Sequence, residues 1–291
     1  MGVFDNRIVK IVFTYGSETA TIDTSKDPTN PPMIMVQGSK YVDPTQNECT
    51  VQIANLSKPL RDALGTQITP YDAAQERKSV QIWAGRESTG MFLRYQGDIV
   101  TATVSQPPDL VLTATSKTLQ FYKQDILAQS YSVTTPMSLI SADVAKSLGL
   151  NLTFEATDRS ISNYAYSGSS AGQIAKLNNL GGMDAYVDDG TLICKDRGQS
   201  LSNVSHTLSE DSGMVGQVEL TEYGVRVRCM LSPDIKLGGT LVVKSVQNPT
   251  LNGSYTIYRT GFQIATRDVP FYDIIEATKY PSYYFTANFP T

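Results

Sequence analysis

Histidine is almost missing from this 291-residue chain, with His206 the single copy. Imidazole is the side chain that titrates near neutral pH and the commonest metal ligand, so a hydrolytic triad or a histidine-based metal site has one possible centre. Around His206 stand Ser202, Ser205, Ser209, Glu210 and Asp211, the composition of a polar connector. No Gly-x-Ser-x-Gly elbow occurs, and His206 reads as a solvated loop residue. Cysteine is also scarce. Cys49, Cys194 and Cys229 are odd in number, far apart and in no C-x-x-C pair, which supports neither a disulfide framework nor a zinc site. Cys49 and Cys229 fall in or beside expected strands, where a thiol serves as a small hydrophobe, and a reducing compartment fits. No apolar run approaches the roughly twenty residues of a membrane span, and no membrane-spanning segment is expected. The N-terminus lacks the charged stretch and apolar core of a signal peptide. Positive charge is not in excess either. Lys and Arg number 24 against 28 Asp and Glu, a net charge of -4, which argues against a protein that lives by gripping phosphates.

Sheet-forming residues are plentiful. Tyrosine occurs 16 times against one Trp, and 41% of residues are hydrophobic, enough for real cores. The length suits two domains or three small ones. Period-2 runs bounded by Gly, Pro and Asn mark strands. One such set runs from Cys49 to Ala114: Thr50–Ala54, a turn through Asn55–Pro59 closing on Leu64-Gly65, then Val80–Ala84. A pair follows, Met91–Tyr95 and Asp98–Ala102 with Gly97 between, and Asp109–Ala114 is last. From Gly224 the order returns: Val225–Cys229, Leu231-Ser232-Pro233 closing on Leu237-Gly238, Thr240–Lys244, the pair Ser254–Tyr258 and Phe262–Ala265 around Gly261, and Asp273–Thr278. A repeated unit implies a repeated fold. Ahead of the first unit, Arg7–Phe13 reads as a strand with Thr19–Ile22 as its hairpin partner, and the proline-rich Lys26–Pro32 as a loop.

Between the units the grammar changes. Thr135-Pro136 reads as an N-cap with proline at the first helical position, Met137–Leu148 as a helix and Gly149 as its C-terminal glycine. Leu150–Phe154 is an expected strand, Ser160–Ser170 a Gly/Ser-rich loop and Ala171–Leu180 a helix capped by Ser169 or Ser170. Met183–Val187 and Leu192–Lys195 are a hairpin around Asp189-Gly190, with 196–212 as a polar exit. The expected division is 1–118, an α+β module at 119–212, and 213–291, ending in a short aromatic tail.

Candidate chemistry is thin. Asp184, Asp188, Asp189 and Asp196 cluster in sequence, but Asp188 and Asp189 are explained by the turn and the spacing fits no EF-hand. Gly168–Gly172 precedes a helix but lacks the Gly-Lys-Ser/Thr of a phosphate loop. Arg226 and Arg228 share a strand face, solvated or at an interface. No catalytic residue, metal ligand or cofactor site is expected.

Several segments together resemble phage baseplate hub proteins. Glu48–Ser57, Arg61–Leu64 and Val80–Gly85 are similar to the opening of their first domain, in which a strand ends in Asn-Leu-Ser, a short helical turn follows, and the next strand ends in aromatic-Ala-Gly. Leu93–Val104 resembles their following hairpin. Gly213-Met214-Val215-Gly216, the run Gly224–Pro233 and Asn252-Gly253-Ser254-Tyr255 resemble their last domain. The resemblance implies a mainly β fold: two related small β-barrel, tail-tube-like domains flanking an α/β module. It implies a structural protein rather than an enzyme, a homotrimer joining the six-fold tail tube to the three-fold tail spike, with a channel for DNA passage. Implied partners are the spike, the tube or tube-initiator protein and other baseplate proteins, with DNA in transient passage. The implied location is the virion tail after assembly in the host cytoplasm. An acidic lumen would pass DNA without adhesion, and Glu48, Asp98, Asp109, Glu219 and Asp273 are the candidate lining carboxylates. Two alternatives belong to other settings: a β-rich glycan-binding or glycan-hydrolysing tail protein, which needs a positioned carboxylate pair, and the hub of a contractile injection or secretion system.

Overall fold

A computed structural model of the chain describes residues 5–27, 29–44, 46–65, 77–106, 110–123, 125–180 and 182–280. The first unit contains β1 (Arg7–Tyr15), β2 (Glu18–Asp23), β3 (Ile34–Tyr41), β4 (Glu48–Ala54), α1 (Lys58–Leu64), β5 (Lys78–Arg86), β6 (Gly90–Val104) and β7 (Val111–Lys117). The insert contains β8 (Ile126–Tyr131), β9 (Thr135–Pro136), α2 (Met137–Ser147), β10 (Asn151–Glu155), β11 (Ser160–Ile161), β12 (Tyr164–Ser169), α3 (Gly172–Leu180), β13 (Met183–Asp188) and β14 (Thr191–Asp196). The second unit contains β15 (Ser205–Ser209), β16 (Met214–Leu220), β17 (Gly224–Met230), β18 (Thr240–Lys244), β19 (Gly253–Ala265) and β20 (Phe271–Thr278).

Successive strand residues face opposite sides, and the apolar alternation decides which side is buried. On β4 the inward residues are Cys49, Val51 and Ile53; on β17 they are Val225, Val227 and Cys229, and none is more than 2% exposed. Within the first unit the strands lie in the order β3-β4-β7-β6-β5-β1, and within the second β16-β17-β20-β19-β18-β15. Position by position the two orders match. One irregularity also coincides. The β6–β7 ladder shifts register between Ile99 and Thr101, and the β19–β20 ladder between Ile257 and Arg259. Such a bulge puts two residues against one and marks a fixed place in a strand. Aligning on it equates Ile99 with Ile257, Val104 with Phe262 and Leu112 with Asp273, and through the ladders to β7 and β20 it equates Val51 with Val227. The units diverge at one end, where β1 runs antiparallel to β5 but β15 runs parallel to β18.

Two expectations are corrected. The pairs of strands expected around Gly97 and Gly261 are in each case one continuous strand, β6 and β19. Neither glycine has the positive φ of a turn. Gly97 is there for close approach instead: a Cβ would lie 2.4 Å from the Tyr95 hydroxyl oxygen, so the ring lies across the glycine. The equivalence of Asp109 with Asp273 also fails, since the ladders set Leu112 there. No closed barrel is formed among the described residues. The β3–β19 ladder, Met35–Tyr41 against Arg259–Ala265, fuses both units into one 13-stranded sheet. Each unit keeps its own apolar cluster on the inner face, and Phe262, Ile264 and Phe271 of the second unit complete the core of the first.

The insert is a separate three-stranded sheet, β10-β14-β13, covered by the two helices, whose apolar residues join one cluster. On α2 the residues Met137, Ile140, Ser141, Val144 and Ala145 are buried, the stripe that a 3.6-residue period presents to a core. The α2 cap is Pro136, not Thr135, because Thr135 and Pro136 pair with Ile161 and Ser160. The Ser160–Ser170 stretch likewise holds two short strands in place of the expected loop, with Tyr164 buried at the start of β12. Asp189 and Gly190, at φ 44° and 82°, make the expected tight hairpin. Within the expected polar exit, β15 joins the large sheet. The aromatic tail, 281–291, lies outside the described residues.

Candidate functional site

The outer face of the fused sheet is hollowed where the two units meet. A groove of about 590 Å³ there is lined by Met35, Gln37, Ser39, Thr50, Gln52 and Gln263, among others. All six are outward members of β3, β4 and β19. Cross-strand neighbours on one sheet face touch, so the ladders read the face row by row. Over the first unit one row runs Gln37, Thr50, Thr115, Thr101 and the next Met35, Gln52, Thr113, Thr103. The Thr101 and Thr115 hydroxyls hydrogen-bond at 2.6 Å. Over the second unit the row is charged and alternates in sign: Glu219, Arg226, Glu276, Arg259, then Tyr41. Arg259 Nη1 lies 3.0 Å and Arg226 Nε 3.8 Å from Glu276 Oε1, and the Arg259 guanidinium sits 5.2 Å from the Tyr41 ring centre.

The five candidate carboxylates part company. Glu48 and Glu219 are exposed and share this face; Glu48 pairs with Lys117 at 2.6 Å, and Glu219 stands opposite Arg226. Asp98 and Asp273 are each 0% exposed and present nothing to any channel, so their expected place in a lumen is corrected. Asp98 is an anchor: one oxygen accepts from Arg77 Nε at 2.8 Å, the other from the Phe121 amide at 3.0 Å, tying the start of the insert to β6. Asp273 lies 2.8 Å from Nη2 of the buried Arg94, a pair that spans the two units. Burial pushes the Asp273 carboxyl up, with Arg94 opposing. Buried charges persist only when paired. Asp109 lies outside the described residues. Parity along β20 was the available signal: Asp273 shares it with the buried Ile275 and Ala277, and Glu276 is the outward carboxylate.

Sequence reasoning missed the latch between sheet and insert. Lys40 is 2% exposed and bonds Asp188 at 2.9 Å and also Asp189, so the hairpin aspartates hold the insert against β3. Lys40 holds the carboxyl of Asp188 below its usual range despite burial, whereas burial and its Asp188 neighbour push Asp189 up to about 6. Asn47 Nδ2 donates to the Val187 carbonyl at 2.7 Å and the Tyr186 hydroxyl to the Leu237 carbonyl at 3.0 Å, so the insert is fastened to both units. Asp184 belongs to the insert alone, bonding Lys195 at 2.6 Å. His206 sits on β15 rather than in a loop, half-buried, and desolvation lowers its pKa. The three thiols are buried and unpaired, and burial raises each; Cys194 reaches about 11. Among the described residues no three His, Cys, Asp or Glu side chains gather to hold a metal, and no helix is long and apolar enough to cross a membrane.

A fused sheet of two like units around a helical insert is the fold of a class of phage tail proteins. A tail protein from Neisseria meningitidis MC58 matches with a TM-score of 0.62 at 9% identity, over 93% of this chain and 96% of that one. The 43 kDa tail protein of prophage MuSo2 from Shewanella oneidensis matches at 0.61 and 9% identity, over 94% and 97%. The E. coli c3393 protein, a component of the type VI secretion system with structural similarity to T4 tail proteins gp27 and gp5, matches at 0.55 and 11%, over 87% and 75%. No curated protein matches by sequence. The family model described as "Baseplate hub gp41" matches residues 8–277, and the chain belongs to that family.

Proposed function

We propose that the protein is a homotrimeric baseplate hub that joins the six-fold tail tube to the three-fold spike, with the hollowed outer face turned toward a channel for DNA. The observation that carries this reading is the matching strand order of the two units within one continuous sheet. Three chains with two like units each supply six near-equivalent positions to the tube and three identical ones to the spike. Spike, tube or tube-initiator protein and other baseplate proteins are the partners of this reading, the virion its location, and its role is structural. The expected acidic lining gives way to a mixed one: neutral Thr, Ser and Gln rows over the first unit and alternating charges over the second. DNA adheres by releasing counterions to runs of unpaired Lys and Arg, and on this face Lys117, Arg226 and Arg259 each have a carboxylate neighbour.

The E. coli c3393 likeness favours one further setting, the hub of a phage-like secretion machine, in which the same ring would serve between other neighbours. The purified protein, imaged by negative-stain electron microscopy alone and with its candidate spike, should form a three-fold ring with a central hole. Monomers that persist with the spike present would overturn the adaptor role.

A further inference from the structure

Two lysines of the chain are buried against aspartates, and their surroundings differ in one group. Lys195 is 1% exposed and lies 2.6 Å from Asp184, whose other oxygen is 3.5 Å from Arg197 Nε. Two cations on one carboxylate hold it ionised. Lys40 is 2% exposed, lies 2.9 Å from Asp188 Oδ1 and also contacts Asp189. Here one ammonium meets two carboxyl groups, and the two are pushed apart. Burial raises Asp189 to about 6, with Lys40 opposing and Asp188 adding to the rise. Asp188 is held below its usual range by Lys40, despite burial. The other charges that act on them are Arg94, on both, and Lys236, on Asp188. Neighbouring carboxyls set apart in this way divide into one proton carrier and one base. Val42, Tyr186 and Val187 are buried beside the cluster, and Asp189 lines a cavity of about 240 Å³ with Gln96 and Asn151.

We propose that Lys40 and Asp189 join in a self-formed isopeptide bond, with Asp188 as the base that frees the amine. An ammonium has no lone pair and a carboxylate is a poor electrophile, so a simple ion pair such as Lys195 with Asp184 is inert. At Lys40 the second carboxyl supplies what that pair lacks. Asp188 takes a proton from the Lys40 ammonium, which leaves an amine beside the protonated carboxyl of Asp189. The nitrogen attacks Asp189 Cγ, so a C–N bond forms and a C–O bond breaks. Asp188 returns its proton to the departing hydroxyl and takes another from the nitrogen. Ammonium, carboxylate and carboxylic acid thus become amide, water and a protonated Asp188, and no oxidant or metal enters the balance. Reactants held in place gain an effective molarity of about 10⁵–10⁸ M, and a positioned acid or base adds about 10²–10⁴-fold. The product is neutral, which removes the cost of keeping opposite charges out of water. The cavity beside Asp189 receives the released water. The ion cluster is the reactant, and newly folded protein carries it. The bond runs from β3 of the first unit to the β13–β14 hairpin and turns a polar latch into a covalent staple. It does not rest on the hub reading above.

Intact-mass spectrometry of the purified full chain tests this without any variant. Protein held near the Asp189 midpoint of about 6 should come to lie one water below the mass of its sequence. Two pH units higher the loss should be at least tenfold slower, since the protonated fraction falls about tenfold per unit. Proteolytic fragments should show Lys40 joined to Asp189 and Lys195 unmodified. Lys40→Arg, which keeps the charge, should stay at the sequence mass. Asp188→Asn, which keeps the shape but takes no proton, should slow the loss at least tenfold. Unchanged circular dichroism establishes that both variants fold. The Asp189-Gly190 step can shed the same water by closing a cyclic imide on its own backbone. A water loss that persists in Lys40→Arg is that imide and would overturn the proposal. A wild-type mass that stays at the sequence value at both pH values would overturn it equally. A Lys40–Asp189 link that forms as fast in Asp188→Asn as in wild type keeps the bond and removes Asp188 as its base.

Discussion

The two units of the sheet are alike inside and unlike outside. Val51 and Val227, Cys49 and Val225, Ile53 and Cys229 are equivalent by ladder register and equally buried. On the other face Thr50 answers to Arg226, Gln52 to Arg228, Thr101 to Arg259 and Thr115 to Glu276. Close packing holds the inner set to a narrow range of volume and polarity, while the outer face is free to take a new role in each copy. Some inner positions depart from this, and one of them joins the units. Leu112 of the first unit becomes Asp273 in the second, and Arg94 of the first unit reaches across to it. Divergence in the core has thus added a buried ion pair to the β3–β19 ladder that joins the two units.

That exception is where the comparison is easiest to break. Asp273→Ala leaves Arg94 buried without its partner and should cost about 3–5 kcal/mol in chemical denaturation. Asp273→Leu with Arg94→Met, which gives the second unit the apolar character of the first, should recover most of that loss, because a packed apolar pair can equal a buried ion pair. A single variant that loses less than about 1 kcal/mol would remove the clamp from the account.

The latch to the insert is tested by pH. Asp189 titrates near 6 in the folded protein against 3.8 in an unfolded chain, so between those values the folded state binds more protons. Stability contributed by this group is therefore present at low pH and is lost as pH rises from about 4 to about 6, by at most about 3 kcal/mol. Asp189→Asn should flatten that part of the melting-temperature profile relative to wild type, and parallel profiles would refute the assignment. Gly38→Ala forces a Cβ into the Phe262 ring and should cost about 1–3 kcal/mol. Leu220→Ala, at the equivalent position on β16 and 74% exposed, should change stability by less than about 0.5 kcal/mol. Equal losses would mean that Leu220 is as enclosed in solution as Gly38. The smallest effect belongs to the outer face: exchanging Arg228 for the Gln of the first unit should stay within about 0.5 kcal/mol in the same denaturation assay.

Strands with clean alternation, β4 and β17 above all, were legible because branched apolar residues recur at period two on one face. The tight Asp189-Gly190 hairpin and both insert helices were legible through turn chemistry and helical spacing. Gly97 and Gly261 misled because glycine in a strand serves close approach as readily as a turn, and only the Tyr95 ring lying over Gly97 tells the two apart. Asp98 escapes period-two reading because the bulge after Ile99 breaks alternation, leaving Gly97, Asp98 and Ile99 all buried. Asp273 and Lys40 were legible in principle, since each shares parity with buried aliphatic residues, and an inward charge requires a partner. What no local pattern could give is the partner itself. Arg94 and Asp273, or Lys40 and Asp188, are brought together by strand order, which the sequence encodes only through the whole fold.

The central claim is that the chain carries one strand unit twice within one sheet. A cryo-electron microscopy map of the assembled protein tests it directly. The account predicts three chains forming six similar lobes around a central hole. A particle in which the two sheet units of each chain occupy dissimilar positions would contradict it.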